Sequence, residues 1–215
     1  MMDSVYFRSE IVKYANRLYE KQLISASGGN ISVRLDNNEM LITPSGVDKG
    51  NLDFEQICLA DYEGNISNPT ESSNLKLSME SQMHIAIYKA RSDVNAIIHS
   101  HPLFASAYSA TNEKISTNLT GEIFAIVGKP AYVEYARMGS LALAELVGNS
   151  AAESNVLILA NHGVIAFGKD LFEAYNRSEI IEYAAHLTFI TRLIGNINCL
   201  DNEKLNAITD FLKNY

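Results

Sequence analysis

Apolar residues recur every three or four positions in several stretches of the chain, a spacing that predicts helices. The first predicted helix runs from about Ser4 to Leu23, with Asp3 or Ser4 as its N-cap. A second is expected over 79–91, with Ser78 in the N-cap position. Further helices are expected at LFASAYSA, at SLALAELVG, and over about 170–194 and 201–213.

Short apolar runs between these helices predict strands. ISVRL and MLITP are expected to pair as a hairpin around residues 36–38, and ICLADYEGNIS has a similar pattern. VNAIIHSHP is expected to be a buried strand, 121–136 to be largely extended, and NVLILANHGVIAFG to form two strands. Several of these strands are joined too tightly for parallel crossovers. We therefore expect one α/β domain over residues 1–215, with a mixed or mainly antiparallel central sheet and helices on its faces.

Charge and composition narrow the possible partners. Seventeen Lys and Arg against twenty-five Asp and Glu give a net charge of −8, which disfavours binding to nucleic acid or to anionic membranes. No apolar run approaches the roughly 18 to 20 residues of a membrane span, and the amphipathic N-terminus is unlike a signal peptide. Cys58 and Cys199 stand alone, as is typical of a reducing compartment. We therefore expect a cytoplasmic protein that binds neither nucleic acid nor membrane.

Three of the five histidines fall at strand ends. His99 and His101 close an apolar strand in IIHSHP, and side chains two positions apart share one face of a strand. His162 lies between the runs VLILA and VIAFG, beside Gly163, which permits a sharp turn. Three histidines with an open fourth position are typical of a catalytic divalent-metal site. A pair of hydrogen-bonded histidines at a sheet edge is the alternative interpretation of His99 and His101.

A carboxylate precedes the histidine strand. Glu80 lies one residue into the predicted second helix, where it could be a fourth metal ligand that substrate displaces and that then acts as a base. The alternative is a first-turn acid that complements the helix dipole. His84, four residues later, could orient Glu80 or simply be a half-buried histidine. His186, within the long helix, is expected to be structural.

Two small-residue loops flank the first strands. SGGNIS contains Gly29 and Asn30, and ITPSG contains Ser45 and Gly46. Such loops can present backbone N–H groups to a phosphate, although each by itself is more typical of a plain turn. Neither matches a Walker loop or the dinucleotide-binding fingerprint.

Taken in order, SGGNIS, ITPSG, KxSxE, HSHP and NHG resemble the class II aldolase/adducin family, most closely its L-fuculose-1-phosphate aldolases. The resemblance extends from about residue 7 to the C-terminus. It implies a three-layer α/β/α fold with a mainly antiparallel central sheet, and a C4 homotetramer with active sites at subunit interfaces. It also implies one Zn²⁺ per subunit, with another divalent metal as the alternative.

The resemblance assigns roles to particular residues. It implies zinc ligands at Glu80, His99, His101 and His162, with Glu80 also the catalytic acid/base, a phosphate site at Gly29, Asn30, Ser45, Gly46 and Ser78, and a proton-donating tyrosine at Tyr215. The implied reaction is reversible cleavage of a ketose 1-phosphate to dihydroxyacetone phosphate and an aldehyde. Zinc acts as the Lewis acid that stabilises the enediolate.

The chain departs from the family pattern at several positions. Met79 stands where a second serine is usual, which removes one potential phosphate hydrogen bond, and Leu77 stands where proline is usual. The other aldolase tyrosine has no evident counterpart in 118–127, where Glu122 could serve a different reaction. These departures affect the expected identity of the substrate more than the expected metal site.

Other functions of the family remain as alternatives. An L-ribulose-5-phosphate 4-epimerase would share the bond-breaking step, but such epimerases carry Asp where this chain has Glu80. A related phosphosugar dehydratase or decarboxylase is the next alternative, with Glu122 as its indication. A non-catalytic adducin-like binding module is less favoured, because all four expected metal ligands are present.

Overall fold

The computed structural model describes residues 4–35, 38–67 and 75–214 of the chain. Asp3, one of the two suggested N-caps, and residues 36–37 of the expected hairpin turn therefore lie outside the described residues. None of the helices among the described residues is long and apolar enough to cross a membrane.

One seven-stranded sheet runs through the molecule. Its strands are β1 (Asn30–Arg34), β2 (Glu39–Ile42), β3 (Cys58–Asp61), β4 (Ala96–Ser100), β5 (Ala131–Val133), β6 (Val156–Leu159) and β7 (Gly163–Gly168). They lie in the order β3-β2-β1-β4-β7-β6-β5. Neighbours are antiparallel except β5 and β6, which are parallel. The prediction of a mainly antiparallel central sheet is confirmed.

Helices cover both faces of this sheet. They are α1 (Ser4–Glu20), α2 (Ser81–Ala90), α3 (Leu103–Ser109), α4 (Gly121–Val127), α5 (Leu141–Ala151), α6 (Leu171–Ile194) and α7 (Asn202–Asn214). Successive side chains of a strand point to opposite faces, so Ile97 packs with α2 and α5 whereas Ile98 packs with α1 and α6. The predicted three-layer α/β/α arrangement is confirmed.

The expectation that 121–136 is largely extended is wrong for its first half. Residues Gly121–Val127 form α4, and only Ala131–Val133 form a strand. The Thr120 side chain accepts a hydrogen bond from the Ile123 N–H, and Gly128 ends the helix with φ of +65°. The N-cap hydroxyl and the C-terminal glycine therefore stabilise a helix here, although the β-branched residues between them favour a strand.

Helix α2 begins later than its apolar spacing suggests. Glu80 occupies the N-cap position and Ser81 is the first helical residue, so the expected N-cap, Ser78, lies before the helix. The Ser78 hydroxyl instead accepts a hydrogen bond from the Glu80 N–H at 3.3 Å. This arrangement leaves the Glu80 side chain at the helix entrance, facing the ends of β1 and β4.

Candidate active site

The register of β1 and β4 brings the two sides of the site together. Asn30 lies directly opposite His99 in the antiparallel ladder, and residues so paired project from the same face of a sheet. That face is the one covered by α2, whose N-terminus carries Glu80. His101 follows β4, and its N–H donates to the Leu23 carbonyl at 2.9 Å, which fixes it beside the loop before β1.

The structure brings the three predicted histidines into one cluster. One ring nitrogen from each of His99, His101 and His162 lies within 4.8 Å of the others. The Nε2 atoms of His99 and His101 are 2.9 Å apart. His162 reaches the cluster from the β6–β7 turn, in which Asn161 adopts a φ of +53°. The left-handed residue of that turn is thus Asn161, not Gly163.

Gly163 serves the site through its small size. A Cβ atom built on it would lie 2.5 Å from the Ser100 carbonyl oxygen and 2.6 Å from Cδ2 of His101. Both distances are too short for any other residue to fit without displacing backbone or the imidazole. The glycine in the NHG motif therefore makes room for His101.

Glu80 lies among the histidines. Its Oε2 is 3.2 Å from His99 Nε2 and accepts a hydrogen bond from Asn30 Nδ2 at 2.9 Å, while its Oε1 is 2.9 Å from His162 Nε2. Burial alone raises the pKa of the Glu80 carboxyl, but the neighbouring His99 and His162 outweigh that effect and hold this pKa well below its usual range. Glu80 is therefore an anion at neutral pH.

The cluster has the geometry that a divalent metal requires. The Nδ1–H of His99 donates to the Val164 carbonyl at 2.9 Å, so Nε2 is the ring nitrogen that faces the cluster. Burial lowers the pKa of His101 to about 3, with His99 and His162 adding to the effect, so that imidazole is neutral, as a ligand must be. Glu80 Oε1 is buried and lies 2.9 Å from His162 Nε2, but no described residue gives it a well-directed hydrogen bond. Tetrahedral zinc ligands at about 2.0–2.1 Å would lie roughly 3.3 Å apart, close to the separations of 2.9–3.2 Å that join His101 to His99 and Glu80 to His99 and His162.

A cavity of about 160 Å³ opens beside the cluster. Its lining includes Gly29, Asn30, Ser45, Ser78, Glu80, His101 and His162, together with Lys49, Met79 and Met138. Gly46 follows Ser45 in the chain but is not part of this lining, and the Ser45 N–H is donated to the Lys76 carbonyl at 2.9 Å. Most of the residues expected to bind phosphate therefore line this one cavity, and the Ser45 N–H is already used within the protein.

Lys49 is a cavity residue that sequence reasoning missed. Its side chain is only 2% exposed, and its Nζ donates to the carbonyls of Pro44 at 3.1 Å and Val47 at 3.3 Å. Burial lowers the pKa of the Lys49 ammonium, an effect that Asp48 opposes. Among the described residues that line the cavity, it is the one lysine or arginine. A lysine after Asp48 has the sequence pattern of an exposed charge, and only the fold shows its burial.

The remaining sequence candidates lie elsewhere. Tyr215 lies outside the described residues, so its role stays a prediction. Glu122 is exposed in the first turn of α4 and is not part of the cavity lining. His186 stacks on Phe104 with ring centroids 4.0 Å apart, which fits the structural role expected for it. His84 is fully buried and contacts Asn30 rather than Glu80 directly.

A family model, relatives and solved structures match most of this chain. The family model described as "Class II Aldolase and Adducin N-terminal domain" matches residues 9–189. An L-fuculose phosphate aldolase of Methanococcus maripaludis is 40% identical over 182 residues, covering 85% of this chain and 96% of the relative. A solved structure titled L-fuculose 1-phosphate aldolase superposes with a TM-score of 0.87 at 30% identity, over 96% of this chain and 95% of that one.

A second activity is represented among the relatives. A 3-oxo-tetronate 4-phosphate decarboxylase of Haemophilus influenzae is 33% identical over 204 residues. The match covers 93% of this chain and 90% of the relative. The relatives thus differ in the bond they break while sharing a phosphorylated substrate in their names.

Proposed function

Because this chain belongs to the class II aldolase and adducin family, we propose that it is a zinc-dependent aldolase that reversibly cleaves a ketose 1-phosphate resembling L-fuculose 1-phosphate. The products are dihydroxyacetone phosphate and an aldehyde. The family match over 9–189 and the 40% identical aldolase of M. maripaludis support the reaction class.

The observation that carries this proposal is the position of Glu80. Its carboxylate is buried, ionised and within 3.2 Å of both His99 and His162, beside an open cavity. A carboxylate held at a metal-ligand cluster can bind there in the resting site and, once substrate displaces it, move a proton. A merely structural first-turn acid would face solvent and the helix dipole instead.

The proposed cleavage breaks the bond between C3 and C4 of the ketose phosphate. A base removes the proton of the C4 hydroxyl, the C3–C4 bond breaks, and C4 leaves as an aldehyde. The bonding electron pair stays with the C3 fragment. Glu80, which leaves the cluster when substrate binds and then takes up a proton from water, delivers that proton to C3 and completes dihydroxyacetone phosphate, while the proton of the C4 hydroxyl passes from the base to water. Tyr215 is the proposed group at the C4 oxygen. In the synthetic direction Glu80 removes the same C3 proton.

The residues present fit a resident divalent cation, which His99, His101, His162 and Glu80 would hold. When bound, it supplies Lewis acidity that stabilises the negative charge developing on the substrate oxygens during carbon–carbon cleavage. A donor set of three imidazoles and one carboxylate suits zinc, with another divalent metal as the alternative.

The polar lining of the cavity supports a phosphorylated substrate. We assign the phosphate to the loops at Gly29–Asn30 and Ser45–Gly46 and to the Ser78 hydroxyl. Lys49 gives this lining a positive charge. That charge offsets part of the −8 net charge of the protein where an anionic substrate must approach.

Decarboxylation of a phosphorylated 3-oxo acid is the second candidate. The H. influenzae relative, at 33% identity over 93% of this chain, favours it. Both reactions leave an electron pair next to a carbonyl, so the same cluster could serve either. The 4-epimerase is less favoured, because Glu80 stands where Asp is expected.

We further propose a cytoplasmic homotetramer with its sites at subunit interfaces. Association would bury apolar side chains that are exposed in the single chain, among them Leu141, Leu193 and Ile194 at 72–76% exposure. The free thiols of Cys58 and Cys199 are compatible with a reducing compartment.

The experiment that tests the proposed function combines elemental analysis with an activity assay. L-fuculose 1-phosphate and 3-oxo-tetronate 4-phosphate are offered to the purified protein before and after chelation, and after zinc is restored. We expect about one zinc per subunit and chelator-sensitive release of dihydroxyacetone phosphate. Release of CO₂ from the second substrate without cleavage of the first would replace the aldolase proposal by the decarboxylase. No metal even after reconstitution would indicate a binding module.

A further inference from the structure

A buried row of polar side chains leads from the core of the protein to Glu80. Tyr88 OH lies 2.7 Å from Ser32 Oγ, and Ser32 Oγ lies 2.7 Å from His84 Nδ1. His84 Nε2 lies 2.5 Å from Asn30 Oδ1, and Asn30 Nδ2 lies 2.9 Å from Glu80 Oε2. The four residues behind Glu80 are each at most 4% exposed, so water cannot substitute for any of these contacts.

The fold explains why these side chains meet. Asn30 and Ser32 are two positions apart in β1 and therefore face the same way, toward α2. His84 and Tyr88 are four positions apart in α2 and therefore lie on one face of that helix. The two pairs interdigitate across the sheet–helix interface, where the surroundings are otherwise apolar.

The chemistry of the groups gives every hydrogen bond in the row one direction. The Asn30 amide donates from Nδ2 to Glu80 Oε2, so its NH₂ faces the carboxylate. The Asn30 oxygen then faces His84 and can only accept, so His84 must donate from Nε2.

The rest of the row follows from the neutral state of His84. Burial lowers the pKa of His84 to about 3, with His99 adding to the effect and Glu80 opposing it, so the ring carries one proton. With that proton on Nε2, Nδ1 accepts from the Ser32 hydroxyl. The Ser32 oxygen in turn accepts from the Tyr88 O–H. No donor or acceptor in the row conflicts with its neighbour.

We propose that His84 is a positioning residue: held as the Nε2–H tautomer by Ser32 and Tyr88, it locks the Asn30 amide with its NH₂ toward Glu80. Without the His84 donor, Asn30 can rotate by half a turn and present its oxygen to the carboxylate, which repels it. The lock holds Oε2 of Glu80 through the Asn30 amide, so that Oε1 points toward His162 and the histidine cluster. The tautomer of His84 and the orientation of Asn30 do not depend on the proposed function. This inference rests on that function only for the catalytic role of the oriented Glu80 carboxylate.

The direct test is the tautomeric state of His84 in the metal-free protein. Two-bond ¹H–¹⁵N correlation spectra of the imidazoles between pH 6 and 9 should show a protonated Nε2 and an unprotonated Nδ1 for His84. Its signals are identified by their absence in His84→Gln. An Nδ1–H tautomer or an imidazolium would overturn the proposal, whatever reaction the enzyme catalyses.

Variants at His84 test whether the lock affects metal binding and catalysis. In His84→Gln the amide NH₂ occupies the place of Nε2–H, whereas His84→Asn is too short to reach Asn30. We expect His84→Asn to lower zinc affinity about 10- to 100-fold and kcat more than KM, and His84→Gln to restore most of both. Met83→Leu, a volume-conserving change at a buried neighbour in α2, is the control for packing. Equal zinc affinity in His84→Asn and Met83→Leu would overturn the lock.

Tyr88→Phe removes only the last donor, so it remains informative if the His84 variants fold poorly. Its matched control is Tyr62→Phe: Tyr62 stacks on Tyr88 with ring centroids 5.9 Å apart, and its hydroxyl has no partner among the described residues. We expect a loss of kcat of about fivefold in Tyr88→Phe alone. Equal effects of the two substitutions would overturn the proposal. Normal tautomer and zinc affinity without cleavage of any phosphorylated ketose would instead overturn the proposed function and leave the lock standing.

Discussion

Asn30 and His99 are register partners in adjacent antiparallel strands, and both contact the same oxygen of Glu80. Asn30 Nδ2 lies 2.9 Å and His99 Nε2 lies 3.2 Å from Oε2. The carboxylate is thus oriented by two residues of the rigid sheet, not by its own loop. Sites held by regular elements keep their geometry better than sites built from loops alone.

Replacing Glu80 by Gln tests its role in proton transfer. The amide keeps the shape and one oxygen for the metal but cannot move a proton, so we expect kcat to fall by about 10²- to 10⁴-fold while zinc stays bound through the histidines. The measurements are kcat with L-fuculose 1-phosphate and zinc content per subunit. Glu122→Gln, an exposed glutamate outside the cavity lining, is the control. Unchanged turnover in Glu80→Gln would remove it from the mechanism.

Gly163→Ala tests the space beside His101. The new methyl group would lie 2.5 Å from the Ser100 carbonyl oxygen, so either β4 or the imidazole must shift. We expect a loss of about 1–3 kcal/mol in the free energy of unfolding and weaker zinc binding. Gly121→Ala, whose added methyl would meet only Ile208 Cδ1 at 3.4 Å, is the control. Wild-type zinc affinity in Gly163→Ala would contradict a role for this close packing in placing His101.

Much of this site follows from motif spacing, because strand alternation alone places His99 and His101 together. The approach of His162 follows from the sheet order, which the sequence does not specify. Lys49 could not be identified from sequence, since the burial of a charged side chain depends on the loop that folds over it. A strand is expected in place of α4 because the segment contains several β-branched residues. That composition is a weaker signal than the N-cap at Thr120, which stabilises the helix. The predicted enzyme class, a class II aldolase, is confirmed by the family match.

Lys49→Met tests the positive charge in the cavity wall. Methionine keeps most of the aliphatic side chain but removes the ammonium that donates to Pro44 and Val47. We expect KM for a phosphorylated ketose to rise about tenfold or more, because a hydrogen bond to a charged group contributes about 1.5–3 kcal/mol. Lys89→Met, which alters an exposed lysine on α2, should leave KM unchanged. An equal rise in KM for an unphosphorylated ketose would show that Lys49 only shapes the loop.

His84 should make the metal-free protein sensitive to acid. Its pKa is about 3 in the folded state and about 6.5 in the unfolded chain, so between these values only the unfolded chain binds the proton. The free energy of unfolding should therefore fall as pH decreases from about 6.5, by up to about 1.4 kcal/mol per pH unit from this group. Urea unfolding at pH 7, 6, 5 and 4 measures the slope. His84→Gln should reduce the slope to the part that His101 contributes, because the pKa of His101 is also lowered to about 3, and Met83→Leu should leave it unchanged. Identical slopes in all three proteins would exclude His84 as a cause.

Met79→Ser tests whether the departure from the family motif limits phosphate binding. Met79 lines the cavity between Ser78 and Glu80 and is 68% exposed, so its replacement by serine should cost little stability. A hydroxyl at this position can add one hydrogen bond to the phosphate, and at about 1–1.5 kcal/mol that bond would lower KM about tenfold. Met138→Ser, at a second exposed methionine of the same cavity, controls for the loss of an apolar side chain. A KM that rises in Met79→Ser but not in Met138→Ser would mean that the methionine itself contacts the substrate, and that the natural substrate is more apolar near its phosphate than L-fuculose 1-phosphate.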